Sequence, residues 1–156
     1  MKIGQQSEPR GCPSCGHLSL EQRLVHERFE YGGEDKTVWV EVENVPVEVC
    51  GHCGEPFSGP AAAAVRHDAI CKTLGLLTPA DIRALRERFA MTQEQFAVST
   101  GIGVATISRW ERGRWVQTRA HDRLLRTLDE NRVLREVVEA VPAAKQILHD
   151  RRVACG

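Results

Sequence analysis

Two Cys-x-x-Cys pairs constrain this chain more than any other feature of its sequence. They are Cys12 with Cys15 and Cys50 with Cys53, and 34 residues separate the first pair from the second. Glycine follows each pair, at Gly16 and Gly54, and it permits the backward turn that points backbone amides at two sulfur atoms. Four such cysteines complete a tetrahedral zinc shell. A single pair is compatible with a redox role, whereas two pairs predict a metal site.

Disulfide bonds and inert buried thiols are the alternatives to a metal site. Disulfides are typical of secreted proteins, but residues 1–10 are polar and lack the apolar stretch of a signal peptide. The chain also lacks an apolar run of about 18 residues, the length that a membrane span needs. We therefore expect a soluble, cytoplasmic protein with reduced cysteines. Because four cysteines leave no open coordination position, the predicted Zn2+, one ion per chain, is structural and not catalytic.

Two other cysteines and two histidines are weaker candidates as metal ligands. Cys71 and Cys155 lie outside the two knuckles, and we interpret them as a free helical thiol and a tail thiol. His17 and His52 lie beside the cysteines, but with four thiols present we expect them at the surface or around the ligands.

Charge divides the chain into two parts. Residues 1–60 contain 5 Lys or Arg and 10 Asp or Glu, and residues 61–156 contain the remaining 16 basic and 11 acidic residues. The neutral total therefore hides net charges of −5 and +5. This asymmetry predicts different partners for the two parts, with an anionic partner for the second. The alternative is that the charges only solvate helix faces.

The N-terminal part alternates apolar and polar residues, which predicts β-strands. The alternating apolar positions are Val25, Phe29, Tyr31, Val38, Val40, Val42, Val45, Val47 and Val49. Gly32 and Gly33 indicate a turn after the first run. Because Pro46 cannot donate to a ladder, we expect the last run to be an edge strand or to be interrupted there. The core is thin, so metal binding should supply much of the folding energy and metal removal should unfold this part.

Sequence patterns typical of α-helices begin after the second cysteine pair. Pro60 suits the first turn of a helix that runs to about Leu74, where Gly75 suits its end. Thr78, as the N-cap before a proline, opens a second helix. Its apolar face is predicted to carry Ile82, Leu85 and Phe89. A later helix, from about Arg119 to Asn131, carries Leu124, Leu125 and Leu128.

Two short helices joined by a glycine-containing turn lie between these elements. Thr92 and Gln95 fit a capping box for a helix over residues 93–99, Gly101 and Gly103 break it, and another helix runs over 104–112. This arrangement is typical of a helix-turn-helix unit, whose second helix enters the DNA major groove. The predicted inward positions are Phe96, Ala97, Ile102, Ile107 and Trp110.

The second of these helices carries the residues that we predict to contact DNA. Short side chains at its start allow close approach, and Arg109 can donate two hydrogen bonds to guanine O6 and N7. Arginines in the following loop and helix suit phosphates, with only Glu111 opposing their charge. The alternative for each arginine is a solvated surface charge. The predicted DNA-binding set is Gln93, Ala105, Thr106, Ser108, Arg109, Arg112, Arg114 and Arg119.

Two resemblances follow from these motifs. The segment Met91-Thr-Gln-Glu-Gln-Phe-Ala97, followed by residues 101–113 with Thr106-Ile-Ser-Arg-Trp-Glu-Arg-Gly113, resembles the Xre and Cro-type helix-turn-helix family. The order Cys-Pro-x-Cys-Gly, a β segment ending at Cys50, Cys53-Gly-Glu and then this unit is similar to the MqsA antitoxin family. The second resemblance covers most of the chain.

The MqsA resemblance implies a specific division of roles. It implies that an N-terminal zinc domain binds an mRNA-cleaving toxin, and that a C-terminal domain dimerises and represses the toxin operon at a double-stranded DNA operator. By position, Arg109 would be the base-reading arginine, and Ala105 replaces the asparagine that the family's best-known member uses. This chain differs in a longer N-terminus and an added amphipathic piece at 132–141, which we expect to complete the core or to cover a second protomer; we favour a homodimer.

These observations predict an α+β protein: a zinc-binding β domain at 1–60, a helical linker at 61–76, an all-α helix-turn-helix domain at 77–141 and a tail at 142–156. The leading hypothesis is a type II toxin-antitoxin antitoxin that represses its own operon. The alternative is a stand-alone Xre-family transcriptional regulator with a structural zinc finger, which the absence of a neighbouring toxin gene would favour. An enzyme is disfavoured because the histidines are scattered and no nucleophile motif or phosphate loop is present.

Overall fold

In its described residues the protein combines a small antiparallel sheet with five helices, which confirms the predicted α+β class. The structure is a computed structural model that describes residues 11–33 and 36–130, with helical backbone also at positions 136 and 140. The predicted piece at 132–141, the tail and Cys155 otherwise lie outside the described residues. None of the described helices is long and apolar enough to cross a membrane.

The chain divides into two compact units, with the boundary between Ile70 and Cys71. This division falls inside the first helix and within the predicted linker, beyond residue 60, where the sequence places the end of the zinc-binding part. Each unit has its own apolar cluster.

The first unit is a sheet covered by a helix. Its strands are β1 (Leu20–Gly33), β2 (Lys36–Cys50) and β3 (Pro56–Ser58), in the order β1-β2-β3. The alternating pattern turns one face of the sheet inward, and helix α1 (Pro60–Leu74) packs Ala62, Val65 and Ala69 against that face. The helix predicted as a linker thus supplies part of the core of this unit, which the sequence pattern of the strands alone did not reveal.

Pro46 lies within the central strand of the sheet, so the prediction of an edge strand is wrong. It pairs with Leu24 of β1, and the pairing with β3 begins only at the next residue, Val47. On the side of β2 that faces β3, hydrogen-bonded pairing starts one residue after Pro46, so a proline without an N–H is tolerated there. The irregularity in β2 lies at Asn44, where φ is +58° and the register shifts by one residue.

The second unit is helical. Its helices are α2 (Pro79–Arg88), α3 (Gln93–Thr100), α4 (Val104–Glu111) and α5 (Arg119–Glu130). The capping boxes at Thr78 and Thr92 are both present. The predicted inward residues of α3 and α4 lie in or against the apolar cluster, together with Leu125 and Leu128 of α5. Leu124 differs from its neighbours, since it is exposed on α5.

Helices α2 and α4 end in the same backbone motif. After α4, Gly113 has a φ of +63° and donates to Trp110, and Arg114 donates to Arg109 at 2.9 Å. After α2, the equivalent left-handed position is Ala90, with a φ of +51°. Glycine adopts this conformation without a side-chain clash, whereas alanine is strained in it.

Candidate metal centre and nucleic-acid interface

The four predicted cysteine ligands come together at one end of the sheet. The pairing of Leu20 with Cys50 places the loop before β1 beside the loop after β2. All four sulfur atoms lie within 4.8 Å of one another. The Sγ atoms of Cys12 and Cys53 are 3.6 Å apart, and those of Cys15 and Cys50 are 3.7 Å apart. A zinc–sulfur distance of about 2.3 Å in a tetrahedron requires sulfur atoms about 3.8 Å apart, so this group fits a four-coordinate metal.

The two knuckles have the same local backbone. Gly16 donates to the carbonyl of Cys12 at 2.7 Å, and Gly54 donates to the carbonyl of Cys50 at 2.9 Å. Both glycines have a φ of +75°, which explains why glycine follows each pair. The backbone N–H of His52 also points at the Cys50 sulfur, at 3.4 Å. Backbone donors of this kind stabilise a thiolate.

The thiols differ in acidity because they share hydrogen bonds and lie close together. The backbone N–H of Cys53, with help from that of His52, lowers the pKa of Cys50 to about 6 against the opposing effect of burial. The backbone N–H of His17 lowers the pKa of Cys15, but burial and hydrogen bonds to the other three thiols raise it to about 12. Adjacent thiolates repel one another, and a divalent cation relieves that repulsion by binding all four.

The two histidines stay outside this group of ligands. Their rings make an edge contact with centroids 4.8 Å apart, and both side chains are exposed. Among the described residues, the group that could hold a metal ion consists of the four cysteines. Cys71 is buried.

In the second unit, the arginines assigned to DNA differ in their charge partners from the arginines of α2 and from Arg126. Arg123 of α5 is also exposed without an ion pair among the described residues. Arg83 and Arg86 contact Glu111, Arg88 contacts Asp129, and Arg126 contacts Asp122. Across the described part of the chain, no ion pair involves the four arginines in the predicted DNA-binding set: Arg109, Arg112, Arg114 and Arg119. All four are exposed. Their charge is therefore available to an anionic partner.

The short residues of the predicted set lie at the start of α4. Ala105 is exposed, and Thr106 and Ser108 are half-buried. Ile107 and Trp110 face the core between them, so the helix presents one apolar and one polar side as predicted. Trp115, which the sequence did not single out, lies in the following loop with its ring 4.4 Å from the guanidinium carbon of Arg109.

Glu111 does not oppose the surface arginines, and its predicted role as the one opposing charge is wrong. It is buried, where it accepts hydrogen bonds from Arg86 at 2.6 and 2.9 Å and from the Gln93 amide at 2.9 Å. Burial raises the pKa of Glu111, but the Arg86 and Gln93 hydrogen bonds lower it more, so it lies below its ordinary value. The sequence does indicate this burial, because Glu111 follows the inward residue Ile107 by four positions and therefore lies on the same face of the helix.

A comparison with known protein families finds a family with this combination of elements. A family model described as the antitoxin component of a bacterial toxin-antitoxin system, MqsA, matches residues 10–138. The match includes all four clustered cysteines and every described strand and helix from β1 to α5. No curated protein matches the chain.

Proposed function

The chain belongs to the MqsA family of bacterial antitoxins, and from that membership we propose that it acts in the cytoplasm as an antitoxin and repressor of its own operon. In this proposal the first unit binds a ribonuclease-type toxin. The second unit, as a homodimer, binds the operator through α3 and α4 as a helix-turn-helix.

The contrast among the arginines carries the DNA-binding part of the proposal. Carboxylates neutralise the arginines of α2, whereas Arg109 and Arg112 at the end of α4 remain exposed with no ion pair among the described residues. Burial of Glu111 removes the single acidic side chain of α4 from this surface. In our proposal Arg109 reads a base, and Arg112, Arg114 and Arg119 contact phosphates. Gln93 uses its amide to hold Glu111, which leaves its side-chain oxygen for a contact at the start of α3.

We assign the metal site to one structural Zn2+ bound by Cys12, Cys15, Cys50 and Cys53. The sulfur spacing and four soft donors favour zinc over hard cations. When bound, zinc supplies a cross-link that holds the loop before β1 against the end of β2. The residues themselves provide the turns and backbone donors, and no position remains for a catalytic water.

The outer face of the sheet offers a surface for the toxin. Leu24 is 68% exposed and Trp39 is 53% exposed, both on the face that turns away from α1. Exposed carboxylates lie on the same face: Glu30, Glu41, Glu43 and Glu48, of which Glu41 approaches Arg28. Apolar groups within an acidic surface suit a basic protein such as a ribonuclease. Glu27 is not part of this surface, since it forms a two-bond ion pair with Arg66.

The DNA-binding proposal is tested with full-length protein and a pool of randomised double-stranded DNA. The wild type should enrich one duplex sequence. Arg109→Ala should lose about 1–3 kcal/mol of specific binding and relax the preference at one base pair in each half-site, while Arg112→Ala should weaken all duplexes equally and lower the salt slope by about one. Arg88→Ala is the matched control, because Asp129 already neutralises Arg88. Enrichment of no sequence by the wild type would refute operator recognition.

Toxin binding is tested by copurification of the full chain from its native cells. We expect a stoichiometric small basic protein to remain bound to the wild type and to be lost from a Trp39→Arg variant that still binds DNA. A positive charge introduced at this exposed site should repel a basic partner without disturbing the core. DNA binding without any copurifying toxin would instead favour the stand-alone transcriptional regulator.

A further inference from the structure

An exposed tryptophan lies against the arginine that we assign to base reading. The ring of Trp115 is 56% exposed, and the guanidinium carbon of Arg109 lies 4.4 Å from its centroid. This distance is within the range of an attractive cation–π contact. Single exposed apolar residues are common on protein surfaces, so the informative observation is the contact with Arg109 and not the exposure of Trp115.

The backbone after α4 directs this contact. Gly113 takes a left-handed conformation, and the N–H of Arg114 returns to the carbonyl of Arg109 at 2.9 Å. These bonds end the helix and turn the chain back along its last turn. Trp115, the next residue, is thereby held beside the side chain of Arg109.

We infer that Trp115 is a positioning residue that holds Arg109 for base recognition and thereby sharpens the sequence preference of the protein. This inference rests on the proposed DNA-binding function. An arginine side chain is long and adopts many rotamers, and stacking on a ring restricts them. A guanidinium that stacks on a ring through its flat face keeps its N–H donors free along its edge, where a guanine can accept them.

A second arginine–tryptophan contact in the chain shows what is specific to this one. Arg28 lies 4.5 Å from the ring of Trp39, but its guanidinium also approaches Glu41 at 3.7 Å. Arg109 has no such carboxylate among the described residues. Glu41 thus compensates the charge of Arg28, whereas Arg109 contacts a tryptophan ring but keeps a positive charge that no carboxylate in the described part of the chain compensates.

The test measures how strongly the full-length protein prefers its selected duplex over the same duplex changed at the base pair that Arg109 reads. The probe is the sequence enriched from randomised double-stranded DNA. Trp115→Leu should reduce this preference by about two- to fivefold, the factor that corresponds to an exposed cation–π contact. Trp115→Tyr should retain most of it because a tyrosine ring still stacks. Arg88→Ala, which removes an arginine whose charge Asp129 already compensates, should leave it unchanged.

A double-mutant cycle separates positioning from a general structural role. In an Arg109→Ala background, Trp115→Leu should cause no further loss of preference, since the side chain that it holds is gone. Equal weakening of both duplexes, or the same loss in both backgrounds, would overturn the inference. If Arg109→Ala abolishes the preference while Trp115→Leu preserves it, the inference fails and the proposed function stands. If the wild type enriches no duplex, both fail.

Discussion

Removal of the Glu111 carboxylate tests the central polar contact of the helical unit. The Glu111 side chain is 2% exposed and that of Arg86 is 14% exposed. Arg86 donates two hydrogen bonds to the carboxylate, at 2.6 and 2.9 Å, and the Gln93 amide donates a third at 2.9 Å. Glu111→Ala leaves an enclosed guanidinium without its counter-charge. Breaking a buried pair from one side costs about 3–5 kcal/mol of the free energy of unfolding.

The ion pair between Arg88 and Asp129 is a control with the same contact distance. Its closest N–O distance is also 2.6 Å, but its two side chains are 50% and 36% exposed. Solvent screens such a pair, so Arg88→Ala should cost about 0.2–1 kcal/mol. The two substitutions thus differ in burial more than in contact geometry.

Far-UV circular dichroism during thermal unfolding measures both effects. For a unit of this size, 1 kcal/mol corresponds to about 4–8 °C in Tm. Glu111→Ala should therefore lower the Tm of the helical transition by at least ~12 °C, and Arg88→Ala by less than ~8 °C. Equal losses in the two variants would refute the reasoning, because they would show that burial does not decide the strength of these pairs.

Three further predictions concern pH, the metal and the backbone. Because the pKa of Glu111 is lowered in the folded protein, its contribution to stability is present above about pH 4.5 and is lost as pH falls through the lowered value; Glu111→Gln should flatten this acid loss in unfolding titrations. Elemental analysis should find one zinc per chain, and Cys50→Ser should make the sheet unit susceptible to protease; a metal-free but protease-resistant wild type would contradict this. Ala90→Gly should raise the free energy of unfolding by about 0.5–1 kcal/mol by relieving a left-handed alanine, while Gly113→Ala in the same motif should lower it by about 1 kcal/mol.

The sequence determined the features that depend on near neighbours along the chain. Two Cys-x-x-Cys-Gly segments carry their own turns, and their sulfur atoms cluster as predicted. The capping boxes at Thr78 and Thr92 each join residues only three positions apart, and both are present. The resemblance to the MqsA family, which rests on the order of these motifs, is confirmed by the family match over residues 10–138.

Tertiary structure decided the features in which a residue depends on a distant partner. The spacing from Ile107 places Glu111 on the inward face of α4, but only the fold shows that Arg86, 25 residues earlier, compensates its charge. The sequence pattern of α1 predicts a linker, but in the fold its apolar residues pack against the sheet. Pro46 predicts an edge strand, but β3 pairs with β2 from Val47 onward and makes β2 the central strand. The stacking of Trp115 on Arg109 also depends on the turn at Gly113. Local sequence specifies turns, caps and periodicity because their energies are local, whereas burial and charge compensation depend on which surfaces meet in three dimensions.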